Sequence, residues 1–190
     1  MDYRIMIQGT PNPNALKFVL NAPVKTEGNC TYKSLAECAD NPLAKAVFVS
    51  HLSIREVYFF DNYITVTQDG SADWDELEEG IKKRILENIG SHDPNFTFEV
   101  KKNDPVAKVS SNNPSIVQIN SILDQTVRPA LQMDGGDIQV INYENNRLTV
   151  FYQGACGSCP SSSMGTMKAI ENILRDQFNP EIVVELAETF

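Results

Sequence analysis

The chain is poor in the residues that most often carry chemistry: 190 residues contain two histidines, one tryptophan and four cysteines, with no excess of positive charge. Lysine plus arginine number 16 against 25 aspartate plus glutamate, giving a formal net charge of −9 and a pI near 4.7. Such a balance offers no basic patch for a phosphate backbone and excludes nucleic acid as the expected partner. No apolar run approaches a membrane span, and Met1–Ile7 is too short for a signal-peptide core and reads as a strand. Four unevenly spaced cysteines do not make a secreted disulfide framework, so the thiols point to a reducing compartment. With no arginine- and serine-rich transit segment in view, the expectation is a cytoplasmic protein, a processed mitochondrial form being the alternative. His51 and His92 lack ligand spacing with each other, and no acid–base pair, nucleophile–histidine arrangement or nucleotide loop emerges. The chain is therefore not expected to be an enzyme.

What is present is an ordinary globular composition, 42% hydrophobic and 22% charged. Its pattern predicts an α/β (α+β) protein: two small mixed sheet-and-helix domains, 1–100 and 115–190, joined by a flexible linker over 101–114. In the first, strands at Tyr3–Ile7 and Leu16–Leu20 flank the turn-forming Gly9-Thr-Pro-Asn-Pro-Asn14. That loop is either a stiff connection or a docking surface. Helical segments at Ser34–Cys38 and Pro42–Phe48 follow, Cys30 lying in a loop and Cys38 packing as a small buried hydrophobe. Alternating strands at Ile54–Phe60 and Tyr63–Thr67 meet at Asp61-Asn62, a good two-residue turn. Leu77, Ile81, Ile85 and Ile89 then stripe a helix from Trp74, and Phe96–Val100 suggests a last strand.

Lys101–Pro114, with Asn103-Asp-Pro105 and Ser110-Ser-Asn-Asn113, reads as linker. Ser115 and Gln118 form a candidate capping box for a helix carrying Ile116, Ile119, Leu123, Val127 and Leu131, which Pro129 must kink or end. Gly135 and Gly136 read as a helix stop and reversal into Ile138–Ile141. The domain is expected to run helix, strand, strand, helix, strand, ending with Ile182–Leu186.

The focus is Gly154-Ala-Cys156-Gly-Ser-Cys159-Pro160-Ser-Ser-Ser-Met164. The alternating strand Leu148–Tyr152 ends at Gly154, and Pro160 suits the first position of a helix striped by Met167, Ile170, Leu174 and Phe178. Thiols at a helix N-terminus are biased toward thiolate, the form that ligates metals or does redox chemistry. Little apolar cover surrounds them. Two cysteines are half of the four ligands that tetrahedral zinc or an iron–sulfur cluster usually takes, and a symmetric dimer would supply the rest.

Leu123–Asp137, with Arg128-Pro129 and Asp134-Gly-Gly-Asp137, followed by Gly154–Ser163 and Met167–Glu171, closely resembles the C-terminal domain of NifU and of the Nfu iron–sulfur carriers. Thr10–Phe18, Pro42–Phe48 and Asn62–Thr67 are similar to the Nfu N-terminal domain. The resemblance implies a carrier in which Cys156 and Cys159 of two chains hold one 4Fe-4S cluster. A 2Fe-2S form is also possible. The cluster would come from an upstream assembly scaffold and pass to apo iron–sulfur proteins. The same thiols leave two alternatives open: a thiol–disulfide oxidoreductase with Cys156 attacking and Cys159 resolving, or a dimer bridged by zinc.

Overall fold

The computed structural model divides into two compact units, Met1–Phe98 and Glu99–Phe190. It describes residues 2–97, 113–159 and 162–187, the side chains of 162–164 excepted. Both units mix helix and sheet, as the pattern of alternation predicts.

In the first unit β1 (Ile5–Gly9), β2 (Ala15–Leu20), β3 (Lys25–Tyr32), β4 (Ile54–Asp61) and β5 (Tyr63–Gln68) form an antiparallel sheet ordered β1-β2-β5-β4-β3. Helices α1 (Pro42–Phe48) and α2 (Trp74–Asn88) share a core with it that includes Phe18, Phe59, Ile64, Leu43, Val47, Ile81 and Ile85. Phe60 opposes Tyr63, so Asp61-Asn62 is the hairpin turn, with Asp61 at a left-handed φ of 44°. The Thr10–Asn14 connection is tied down internally. Thr10 Oγ1 donates to the carbonyls of Asn12 (3.0 Å) and Ala15 (2.9 Å), and Trp74 Nε1 donates to that of Pro13 (2.9 Å).

Three expectations change here. Cys30 lies not in a loop but on β3, opposite Phe59. The preceding Lys-Thr-Glu-Gly-Asn shows no alternation because the strand is irregular there, with a register shift between Lys25 and Asn29 and Gly28 at φ 65°. Ser34–Cys38 forms only a tight 3-10 segment, Leu35–Asp40, before Asn41 Oδ1 accepts from Ala44 N–H (3.0 Å) and caps α1 at Pro42. Phe96 lies outside any strand, and 98–100 fall outside the described residues.

Cys30 and Cys38 are 1% exposed within this core. Burial pushes both thiols up to about 12, from an ordinary value of 9.0. A raised folded-state value means that stability is intact below the unfolded value and is lost as pH rises through the folded one. The melting temperature of the first unit should therefore hold below pH 9 and fall between pH 9 and 12, and Cys30→Val should soften the fall. A flat profile through that window would contradict the burial of these thiols. His51 is exposed, with Nδ1 2.8 Å from Ser53 Oγ, and His92 is half-buried, with Nε2 2.7 Å from the Val24 carbonyl and its ring stacked on Phe59.

In the second unit α3 (Pro114–Thr126) and α4 (Arg128–Met133) precede β6 (Gly136–Glu144), β7 (Arg147–Gly154), α5 (Ser162–Gln177) and β8 (Val183–Leu186). The sheet order is β6-β7-β8, with β6 antiparallel and β8 parallel to β7. The parallel pair requires a crossover, which α5 provides. Ile119, Leu123, Leu131, Ile170 and Leu174 close one core with Ile138, Leu148, Val150 and Val184. The helix breaks at Val127, one residue before α4 and its Pro129. The cap is Asn113 rather than Ser115: its Oδ1 accepts from Ser115 N–H (3.0 Å), leaving Pro114 at the first helical position, where no N–H is needed. The expected linker thus lies outside the described residues up to 112, and Pro114 belongs to the helix.

Candidate metal centre

β7 delivers the cysteines and β6 forms the wall behind them. Gly136 opposes Gly154 at the end of the ladder, where Gly154 takes φ 61° and turns the chain. Two backbone bonds close the loop: Ala155 N–H to the Gly135 carbonyl (3.1 Å) and Gly157 N–H to the Gly154 carbonyl (3.0 Å). Gly135, at φ 80°, ends α4 as the sequence suggests.

Gly136 has a second role that its place after a helix does not reveal. A Cβ built there would lie 2.4 Å from Cys156 Sγ, 2.7 Å from the Gln153 carbonyl and 2.8 Å from Cys156 N. The absence of a side chain is what lets the thiol sit against β6.

Cys156 and Cys159 share one loop, yet each is only 7% exposed. Cys156 packs in the apolar core beside Tyr152, contrary to the expectation of little cover, because β6 and the helical layer supply the cover that the loop's own serines and glycines cannot. At Cys156 the expected thiolate bias is also reversed. Burial above all, then the charges of Asp134, Cys159 and Asp137, push the Cys156 thiol up to about 12. The described part of α5 opens at Ser162, three positions beyond Cys159, and the expected helical start at Pro160 falls outside the described residues.

Behind Gly136 stands a polar brace made by Arg128 and Asp137, which the sequence offers only as residues of the family resemblance. Asp137, 4% exposed, accepts at Oδ1 from Ile138 N–H (2.7 Å) and lies 3.5 Å from Arg128 Nε. Arg128 also donates from Nε to the Ile138 carbonyl (3.2 Å) and from a terminal nitrogen to Asn120 Oδ1 (2.7 Å). It thereby ties α3 and α4 to the strand that backs the thiol. Among the described residues no group of three or more histidine, cysteine, aspartate or glutamate side chains is placed to hold a metal ion. Two sulfurs from one chain are what this loop offers. Cys30 and Cys38 belong to the first unit's core.

Comparison with known proteins matches residues 5–92 to the family described as scaffold protein Nfu/NifU N terminal and residues 119–185 to the NifU-like domain. Similar curated proteins include the NFU1 iron-sulfur cluster scaffold homolog, mitochondrial, of Drosophila persimilis (34% identical) and its Homo sapiens counterpart (32%). NifU-like protein 4, mitochondrial, of Arabidopsis thaliana is 31% identical. Each match covers 90% of this chain and, respectively, 60%, 66% and 61% of the relative, so the chain spans about three-fifths of their length. These names overturn the expectation of a cytoplasmic protein and point to the mitochondrion. With both domain families matched in order, one on each unit, the chain belongs to the Nfu-type iron–sulfur scaffold family.

Proposed function

We propose that this chain is a non-enzymatic carrier of iron–sulfur clusters, binding one 4Fe-4S cluster between Cys156 and Cys159 of two copies. The supporting observation is the half-set of ligands: two thiols on one loop, with no third donor grouped with them among the described residues. A two-fold axis through the cargo completes four thiolates. Because Cys156 is buried and protonated at neutral pH, loading must open the loop and release a proton from the thiol. Both requirements oppose tight binding and suit a protein that gives its cargo away. An upstream assembly scaffold would load it, apo-proteins would receive from it, and the setting is mitochondrial, as its relatives are named. A 2Fe-2S form bound by the same four thiols is the nearest variant.

The raised Cys156 thiol also weighs against the oxidoreductase alternative, since the thiolate is the attacking species. The zinc-bridged dimer uses the same donors and is separated only by what the protein binds. The carrier reading is tested by mixing reconstituted protein with an apo-ferredoxin and following the acceptor's visible circular dichroism. Transfer faster than from free iron and sulfide is expected; a rate no faster would sink the reading. Cys30→Ser and Cys38→Ser should load as fully as the wild type, measured as iron per chain, because both thiols belong to the first unit's core.

A further inference from the structure

The loop that receives an anionic cargo has no positive charge near it in sequence. Between Arg128 and Arg147 there is no lysine, arginine or histidine, and none between Arg147 and Lys168. The charges that do flank Cys156 are carboxylates. Asp134 caps the C-terminus of α4, and Asp137 begins β6 beside Gly136, against which Cys156 Sγ is packed. The two residues bracket Gly135 and Gly136, to which the cysteine loop is hydrogen-bonded through Ala155 N–H (3.1 Å) and against which Cys156 Sγ is packed.

Asp134 and Asp137 each have a place in the fold, but neither place requires a negative charge. A negative charge at a helix C-terminus opposes the helix dipole, and Asp134 occupies that position on an exposed surface where any polar residue would serve. Asp137 is a buried acid that lies 3.5 Å from Arg128 Nε and accepts at Oδ2 from Gln132 Nε2 (3.4 Å). The hydrogen bond that Asp137 accepts from Ile138 N–H could be made equally by asparagine, whose carbonyl oxygen sits in the same place.

Resting on the carrier reading above, we propose that Asp134 and Asp137 are release-setting residues: their negative charge beside Cys156 destabilises the bound anionic cluster and speeds its departure. The effect acts twice in a symmetric dimer, since each copy brings its own pair to the shared cargo. A carrier must bind its cluster less tightly than its recipients do. Burying the thiols sets the cost of loading, and the carboxylates hold down the stability of the loaded state. The cysteines make the site; the aspartates make it temporary.

The test compares the reconstituted full chain with Asp134→Asn and Asp137→Asn, following loss of the cluster's visible absorbance to an iron chelator. Removing one charge per chain should slow loss by about threefold to tenfold at low salt, the size of a largely water-screened interaction between charges several ångströms apart. Added salt should erase the advantage of Asp134→Asn, whose carboxylate faces solvent, and leave most of that of Asp137→Asn. The cluster's reduction potential should rise in both, a change that a merely structural role would not produce. Asp137→Glu, which restores the charge, should return loss toward the wild-type rate. Unchanged or faster loss from both asparagine variants, with wild-type loading intact, overturns the proposal and leaves the carrier reading standing. If the wild type takes up no cluster, the carrier reading itself is what fails.

Discussion

Cys156→Ser and Cys159→Ser should each reduce cluster content of the reconstituted protein to background while leaving the fold intact. A serine hydroxyl is similar in size to the thiol but is far harder to deprotonate and is a poor ligand for iron. Losing one sulfur per chain removes two of four ligands from a symmetric site, so the loss should be nearly complete rather than half. Cys156 is 7% exposed in the apolar core, so its replacement should cost about 1 kcal/mol through a buried hydroxyl with poorer partners. Iron and acid-labile sulfide per chain measure the first effect, and thermal melting the second. Retention of a full cluster by either variant would remove that residue from the ligand set.

The second large effect is expected at a residue with no ligand chemistry. Gly136→Ala should displace the cysteine loop, because the new Cβ would stand 2.4 Å from Cys156 Sγ and under 3 Å from two backbone atoms of the loop. The sulfur could swing away, but the Gln153 carbonyl and Cys156 N cannot without breaking the Gly136–Gly154 end of the ladder. A cost of about 2 kcal/mol or more is expected, at the upper part of the range for overpacking. Cluster loading should fall at least as far as stability does. Amide exchange would show the damage confined to Gly135–Gly136 and 153–157, and a variant that melts and loads like the wild type would show that the approach of Cys156 to β6 is not needed.

Much of this was legible before any coordinates. The β4–β5 hairpin follows from period-two alternation broken by Asp61-Asn62, and α2 from the Leu77, Ile81, Ile85, Ile89 stripe, because both patterns are local and both faces are decided by one core. The strand, the Gly154 turn and the thiol pair were equally readable. What escaped depends on partners distant in sequence. β3 has no alternation of its own across Gly28 and is held by pairing with β4. Asn113 outcompetes Ser115 as cap because Pro114 sets where the helix begins.

The site's electrostatics were read in the wrong direction for the same reason. Position before a helix argues for thiolate, but burial against Gly136 and the nearby charges of Asp134 and Asp137 outweighs it. Gly136 and Asp137 come from the far side of a hairpin and Asp134 from the end of α4, and a helix stop was a sufficient local explanation of the Asp-Gly-Gly-Asp run. Location was read as cytoplasmic with a mitochondrial form as the alternative, and the relatives' names favour the alternative, since compartment is an address and not a property of the folded core.

The central claim is that two chains share one cluster through Cys156 and Cys159. Anaerobic reconstitution with iron and sulfide, followed by native mass spectrometry of the intact protein, tests it most directly. The account predicts a dimer whose added mass corresponds to four irons and four sulfides, lost together with the dimer in Cys156→Ser. A dimer holding zinc alone, or a monomer that takes up no iron and cycles a Cys156–Cys159 disulfide, would contradict it.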